Sequence, residues 1–199
     1  IEFILLFNDS ENHNVDPSIL KEFELSVGKK RVVFFPVQEF VDQLGSINSI
    51  VTKGSEIIRN QFIEALKPDV LLLTSFFEFD AILTVPSRED RTYLVAVILY
   101  DLIPLTDPEN YLSNPFVDDW YRRKIDDFKR ADVFLAISEF SRHDAIQHLH
   151  IDGNSCINIF GATDLAETGV HEPDFHGESP YRSHGKYVFY VGGFDQRKN

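Results

Sequence analysis

Tyr93-Leu94-Val95-Ala96-Val97-Ile98-Leu99-Tyr100-Asp101-Leu102-Ile103-Pro104-Leu105 decides how the rest of the chain is read. The run from Tyr93 to Leu99 is apolar without alternation and rich in branched side chains, the pattern of a strand buried on both faces of a parallel sheet. A phenol and a carboxylate, Tyr100 and Asp101, stand where that strand ends. Open parallel sheets bind ligands at this carboxyl edge.

Comparable apolar runs recur at residues 1–7, 31–37, 70–74, 133–137 and 156–160 and predict five further buried strands. Helical patterns separate several of them, at residues 17–25, 54–66 and 140–149, with Ile58, Phe62 and Leu66 at four-residue spacing in the second. Alternation of this kind predicts βαβ units and therefore an α/β fold with a parallel sheet flanked by helices. Residues 114–130 add an amphipathic surface helix, with Val117, Tyr121, Ile125 and Phe128 on its apolar face and nine charged residues elsewhere. Arg122, Arg123 and Lys124 beside Trp120 offer a membrane-docking face, but the interleaved Asp118, Asp119, Asp126 and Asp127 favour a solvated one.

Composition sets outer bounds. Of 199 residues, 43% are hydrophobic and 13% aromatic, enough apolar material for a packed core. The formal net charge of -13, from 19 Lys and Arg against 32 Asp and Glu, argues against recognition of nucleic-acid phosphates and against purely electrostatic docking on anionic lipid. The single cysteine, Cys156, leaves no internal disulfide framework and is expected to be a buried, inert thiol in a reducing compartment. No apolar stretch reaches the length needed to span a bilayer. The expected location is cytoplasmic.

From Asp164 to Lys186 the composition turns to Gly, Pro, Ser, His and Glu, the signature of a linker or mobile loop. The division expected is a first domain at 1–164, an interdomain linker at 165–186, and the first strand and turn of a second domain at 187–199. The opening in mid-strand and the ending in mid-turn predict a piece of a longer protein.

Five groups of residues are candidates for chemistry. Asp101 can orient a hydroxyl or act as a base, or it can simply form the turn that Pro104 follows. Ser138 and Glu139 reach the same edge after the strand at 133–137, and both suit the start of a helix, Ser138 as its cap. Arg142 opposes the dipole in the first helical turn, so it pairs either with an acid such as Glu139 or Asp144 or with a ligand anion. His143 and His148 lie five residues apart, which does not put them on one helix face as a metal pair, and no metal site is expected. At the end of the sequence, Gly192-Gly193 follows a strand-like run and precedes Arg197-Lys198. Such a turn lets backbone approach a diphosphate while a fork and a point charge neutralise it, or it is an ordinary turn with exposed cations.

Four segments taken together, in order, resemble the group 1 family of retaining, nucleotide-sugar-dependent glycosyltransferases, which have two Rossmann-like domains in the GT-B architecture. They are Tyr100-Asp101-Leu102-Ile103-Pro104-Leu105, Tyr121 through Arg130 into Ala131-Asp132, Ala136-Ile137-Ser138-Glu139-Phe140-Ser141-Arg142-His143-Asp144, and Gly192-Gly193-Phe194-Asp195-Gln196-Arg197-Lys198-Asn199. The resemblance covers the chain from about Pro68 onward and is nearest to bacterial mannosyltransferase-like enzymes of O-antigen and other surface-polysaccharide (lipopolysaccharide) assembly. It implies that the first domain, lacking the family's first strand, binds the acceptor. The family's C-terminal domain would bind most of the donor, with Gly192, Gly193, Arg197 and Lys198 at the donor diphosphate. Asp101 and Tyr100 would then be catalytic, and Ser138, Glu139 and Arg142 would line the cleft. Many members carry a His where Tyr100 stands, and this departure supports an alternative in which the chain is a non-catalytic Rossmann-like binding or scaffold domain. The resemblance implies no cofactor, a nucleotide sugar such as GDP-mannose as donor substrate, a glycan or lipid-linked acceptor, and peripheral contact with the inner membrane face. A dinucleotide-dependent oxidoreductase fits poorly, since no glycine-rich turn with a downstream ribose-binding acid opens the chain.

Overall fold

A computed structural model describes residues 2–9, 16–36, 50–77 and 83–161. They all lie in one compact unit, Ile1–Gly161; a second unit, Ala162–Asn199, lies outside the described residues. The expected linker and the strand and turn of a second domain therefore lie there too.

The alternation read from the sequence is present. In chain order the elements are β1 (Leu5–Asp9), α1 (Pro17–Val27), β2 (Val32–Pro36), α2 (Ile50–Leu66), β3 (Val70–Leu73), β4 (Leu94–Leu99), the short α3 (Ile103–Thr106) and α4 (Pro108–Tyr111), α5 (Pro115–Phe128), β5 (Val133–Ala136), α6 (Glu139–Leu149) and β6 (Cys156–Asn158). β1 and β2 pair in parallel, and β3-β4-β5-β6 form a four-stranded sheet in that order, parallel throughout. The registers Leu73 to Val97 and Leu99 to Ala136 bring the ends of β3, β4 and β5 to one edge. The α/β architecture of parallel sheets flanked by helices is thus observed.

β4 is the heart of the core. Val95, Val97 and Leu99 are fully buried, and Leu73, Phe134 and Ala136 flank them on the neighbouring strands. Removing each such aliphatic side chain from water contributes about 1.5–3 kcal/mol. α5 covers this sheet through a chain of rings: Phe128 lies 5.2 Å from Phe134 and 5.6 Å from Phe76, and Phe77 lies 5.3 Å from both Phe128 and Tyr121. Asn114 caps the helix by accepting the Phe116 N–H at 2.9 Å, and Pro115 occupies the first helical turn, where its missing N–H costs nothing.

A buried polar staple sets the start of the sheet. The Arg91 guanidinium, wholly buried, donates to Asp132 Oδ2 at 2.5 Å and to the carbonyls of Tyr93, Pro86 and Arg130 at 2.6, 3.2 and 3.1 Å. Asp132 Oδ2 also accepts the Val95 N–H at 2.7 Å. Burial alone would raise the Asp132 carboxyl, but Arg91 and the Val95 N–H outweigh it and hold the group below its ordinary value.

Two helix faces differ from the sequence reading. In α2, Ile58 is 60% exposed, and the buried face instead carries Thr52, Ser55, Arg59 and Ile63. Phe62 still packs on Phe35 of β2 at 5.4 Å while Ile63 enters the core of the larger sheet, so the helix contacts both sheets and its interior face is partly polar. In α5 the expected solvated face is half wrong. Arg122 and Arg123 do pair with Asp118 and Asp119 at 2.8 and 2.7 Å, one turn away, but Trp120 and Lys124 are buried. Lys124 donates to the Leu83 carbonyl and sits 5.2 Å from the centre of the Phe76 ring, so an interior carbonyl and an aromatic face satisfy its charge. Neither residue can form a membrane-docking face. Glu56 and Asp127 occur at the same helical interface; burial first, then Asp127, pushes the Glu56 carboxyl up to about 7, and burial raises Asp127 as well.

Candidate functional site

The carboxyl edge of the larger sheet gathers the segments that leave β3, β4 and β5. A shallow hollow of about 190 Å³ opens there, lined by Ser75, Phe76 and Phe77 after β3, by Tyr100, Asp101 and Pro104 after β4, and by Tyr121 of α5. The ring contacts that fasten α5 to the sheet also form the aromatic wall of this hollow.

Asp101 is exposed and does form a turn: its Oδ1 accepts the Ile103 N–H at 3.2 Å. That bond uses one oxygen, and among the described residues the other has no hydrogen-bond partner. Both sequence readings of Asp101, turn former and ligand contact, are therefore compatible. Tyr100 is 53% exposed, with its backbone carbonyl accepting from Ser141 Oγ at 2.7 Å. This bond ties the end of β4 to the first turn of α6.

α6 begins as its sequence dictates. Ser138 Oγ accepts the Ser141 N–H at 3.0 Å, so Ser138 is the cap. Glu139 accepts from Arg142 at 2.9 Å and, through its second oxygen, from Asn158 Nδ2 at 3.3 Å. The Arg142 pairing, with burial opposing it, holds Glu139 below its ordinary range. Arg142 also donates to the carbonyls of Cys156 and Gly153 at 2.7 and 3.1 Å. Of its two sequence readings, the acid partner is the one observed, and its further bonds fasten α6 to β6. Ser138, Glu139 and Arg142 stand at the correct edge but do not line the hollow with Tyr100 and Asp101. Phe140 and Phe160, 75% and 70% exposed, extend the aromatic character of that edge beyond them.

His143 is exposed, with Nδ1 2.8 Å from the Glu139 carbonyl oxygen. Among the described residues no cluster of His, Cys, Asp and Glu is arranged to hold a metal ion. Cys156 is buried, and burial pushes its thiol up, as an inert structural thiol requires. Among the described residues no helix is long and apolar enough to cross a membrane. Gly192, Gly193, Arg197 and Lys198 lie outside the described residues.

Sequence reasoning missed Tyr121 and the pair Phe76-Phe77 as parts of the site. Tyr121 reads in sequence as one more core-facing residue of an amphipathic helix, whereas it borders the hollow and its buried hydroxyl has no hydrogen-bond partner among the described residues. Burial, followed by the Asp101 charge, raises this phenol well above its ordinary value and keeps it protonated. The position of Thr74-Ser75-Phe76-Phe77 directly after a buried strand was the available signal for the aromatic wall.

Known proteins resemble this chain in sequence. Serotype-specific mannosyltransferase WbdA of Escherichia coli is 27% identical to it over 153 residues, which cover 74% of this chain and 19% of that enzyme. A second WbdA sequence from the same species is 29% identical over 113 residues, 56% of this chain and 14% of the relative. The chain therefore spans less than a fifth of the length of the curated relatives it matches. No family model matches the chain. No solved structure matches it either. The sequence similarity is to glycosyltransferases.

Proposed function

We propose that the chain is the acceptor-side part of a retaining GT-B glycosyltransferase that transfers a hexose, mannose by analogy with WbdA, from a nucleotide sugar to a glycan or lipid-linked acceptor. The observation that carries this reading is the similarity to mannosyltransferases across three quarters of the chain. A hollow of about 190 Å³ at the carboxyl edge of a parallel sheet, bordered by Tyr100, Asp101 and Tyr121, supports it.

In this scheme an acceptor hydroxyl held at Asp101 attacks the anomeric carbon as the bond to the nucleoside diphosphate breaks; the electron pair leaves with the diphosphate, whose departing oxygen takes up the proton of the attacking hydroxyl. Arg197 and Lys198, which follow Gly192-Gly193 in the sequence, neutralise that departing charge, which is the main protein contribution to such a transfer. The enzyme would work in the cytoplasm and meet a lipid-linked acceptor at the inner membrane face.

The test uses the whole protein of which this chain is part. Release of nucleoside diphosphate is measured over a donor panel that includes GDP-mannose, with and without mannose-terminated acceptors. Acceptor-dependent release is expected, falling by roughly a hundredfold in Lys198→Ala, as for loss of one charge-stabilising group. The 199-residue chain alone is expected to be silent. Silence of the whole protein with every donor and acceptor would refute the proposal, and retained partner binding by Lys198→Ala and Asp101→Asn without any turnover would favour a scaffold domain.

A further inference from the structure

We propose that the open edge and uncovered face beside β3 seat one further β-strand and its crossover helix, supplied by the roughly 30 residues that lead into β1 in the whole protein. The strand runs parallel between β1 and β3 and joins the two sheets into one, and the helix covers Val70, Leu72 and Leu94.

The two sheets already lie as parts of a single layer. Paired residues of parallel strands share a face, and neighbours along a strand alternate. One face carries Leu71, Leu73, Val95, Val97 and Phe134, and α5 covers it, with Phe128 lying 5.2 Å from Phe134. α2 covers the same side of both sheets. Its Phe62 packs on Phe35 of β2, and its Ile63 joins the core under the larger sheet, against which Leu6 of β1 also packs. Leu6 and Phe35 share a face in the β1–β2 register, and Phe7 takes the other. Phe23 of α1 packs on Phe7 at 5.7 Å, so α1 lies on the opposite side from α2 and α5.

Handedness then orders the strands. A right-handed crossover puts its helix on one face when the chain steps one way along a sheet, and on the other face when it steps back. The step from β4 to β5 through α5 leads away from β3, with the helix on the Val97 face. The step from β1 to β2 has its helix on the other face and so runs in reverse, which sets β1 nearer to β3 than β2 is. The packing of Leu6 against the larger core agrees. Yet β1 and β3 do not pair with each other. Among the described residues each pairs on one side only, and the facing rows of backbone N–H and C=O groups are open to a strand.

The same gap accounts for a second observation. Val70, Leu72 and Leu94 share the face away from α5 and are 52%, 47% and 43% exposed, although β3 and β4 are apolar on both faces. A strand that precedes β1 and steps into it from the β3 side runs in the reverse direction, so the handedness rule lays its helix on this face. That selects the occupant. A second copy pairing at the β3 edge would bring no such helix, and chain that follows β6 leaves from the far end of the sheet. The matched region is 19% of WbdA, which leaves ample chain in a protein of that size to supply the segment.

The test uses the whole protein with a benzophenone amino acid in place of Leu72 or, separately, Leu94; after illumination the cross-linked peptides are identified by mass spectrometry. Hydrogen exchange of β3 is followed in the unsubstituted protein, so that a bulky probe that disturbs packing does not decide the matter. Cross-links to residues that precede Ile1 are expected, with every β3 amide exchanging at least about a hundredfold more slowly than unstructured peptide. Cross-links confined to residues after Gly161 or to a second copy would overturn the proposal, as would β3 amides of which alternate ones exchange like unstructured peptide. The inference shares with the proposed function only the premise of a longer protein, and neither readout involves a sugar or turnover. A completed sheet in a protein without transfer sinks the transferase alone; transfer by a protein whose β3 edge is open sinks this inference alone.

Discussion

Asp132→Ala is expected to destabilise the chain by about 3–5 kcal/mol, far more than a half-buried acid usually costs. The substitution removes the acceptor of the Val95 N–H, 2.7 Å away at the start of a buried strand, and stranding a buried donor costs about 1–3 kcal/mol. It also removes the only carboxylate that Arg91 touches among the described residues, at 2.5 Å, and breaking a buried pair from one side costs about 3–5 kcal/mol. The two losses share one oxygen and do not add in full. Arg91 retains its carbonyl acceptors, which places the result toward the lower half of the range. For a chain of this length the change corresponds to a melting temperature lower by about 6–20 °C.

Urea and thermal unfolding of wild type, Asp132→Ala, Arg91→Met and the double variant measure this directly. The double variant should be less destabilised than the sum of the singles, because Arg91→Met removes the charge that Asp132→Ala would strand. A pH series supplies the sign. Asp132 titrates below its ordinary value of 3.8 when folded, so its stabilising effect is present above about pH 3.8 and is lost as pH falls through the lower folded value. The gap between wild type and Asp132→Ala should therefore narrow in strong acid. A cost under about 1 kcal/mol for Asp132→Ala at neutral pH, or strict additivity in the double variant, would refute the staple.

Other variants probe separate parts of the fold. Glu56 has the opposite sign: with its folded value near 7 against 4.5, the folded state holds the proton longer, and stability declines as pH rises from about 4.5 to 7. Glu56→Gln should match wild type near pH 4 and exceed it by about 1–2 kcal/mol at pH 8, the figure being reduced for the solvent that reaches this carboxyl; equal curves at both pH values in denaturant melts would sink the assignment. Phe128→Ala removes a fully buried ring that touches Phe76, Phe77 and Phe134, and should cost about 3–5 kcal/mol in the same melts. Ser141→Ala breaks the bond to the Tyr100 carbonyl for about 0.5–1.5 kcal/mol, and hydrogen exchange should show faster opening confined to the β4–α3 junction and the start of α6.

Much of the fold was legible because it is written locally. Unbroken apolar runs marked β4 and its neighbours, and Ser138 marked the start of a helix, since strand burial and capping depend on residues adjacent in sequence. Helix faces were less legible. α2 touches two sheets, so its interior side does not follow a single apolar stripe, and Lys124 enters the core only because the Leu83 carbonyl and the Phe76 ring are brought to it from roughly forty to fifty residues away.

The candidate site divides in the same way. Sequence alone determined that Tyr100 and Asp101 follow a buried strand, and a parallel sheet then obliges them to stand at its carboxyl edge. Sequence could not decide between the partners of Arg142, because Glu139, Cys156 and Gly153 converge on it only when α6 packs beside β6. Nor could it show that Tyr121 would border the same hollow as Asp101, since the two lie twenty residues apart in sequence and only the packing of α5 on the sheet brings both to it. Local pattern fixes which elements form and in which direction they run; the orientation of a polar side chain among its neighbours is decided by tertiary packing, where desolvation and geometry together determine which groups are satisfied and which are left to bind something else.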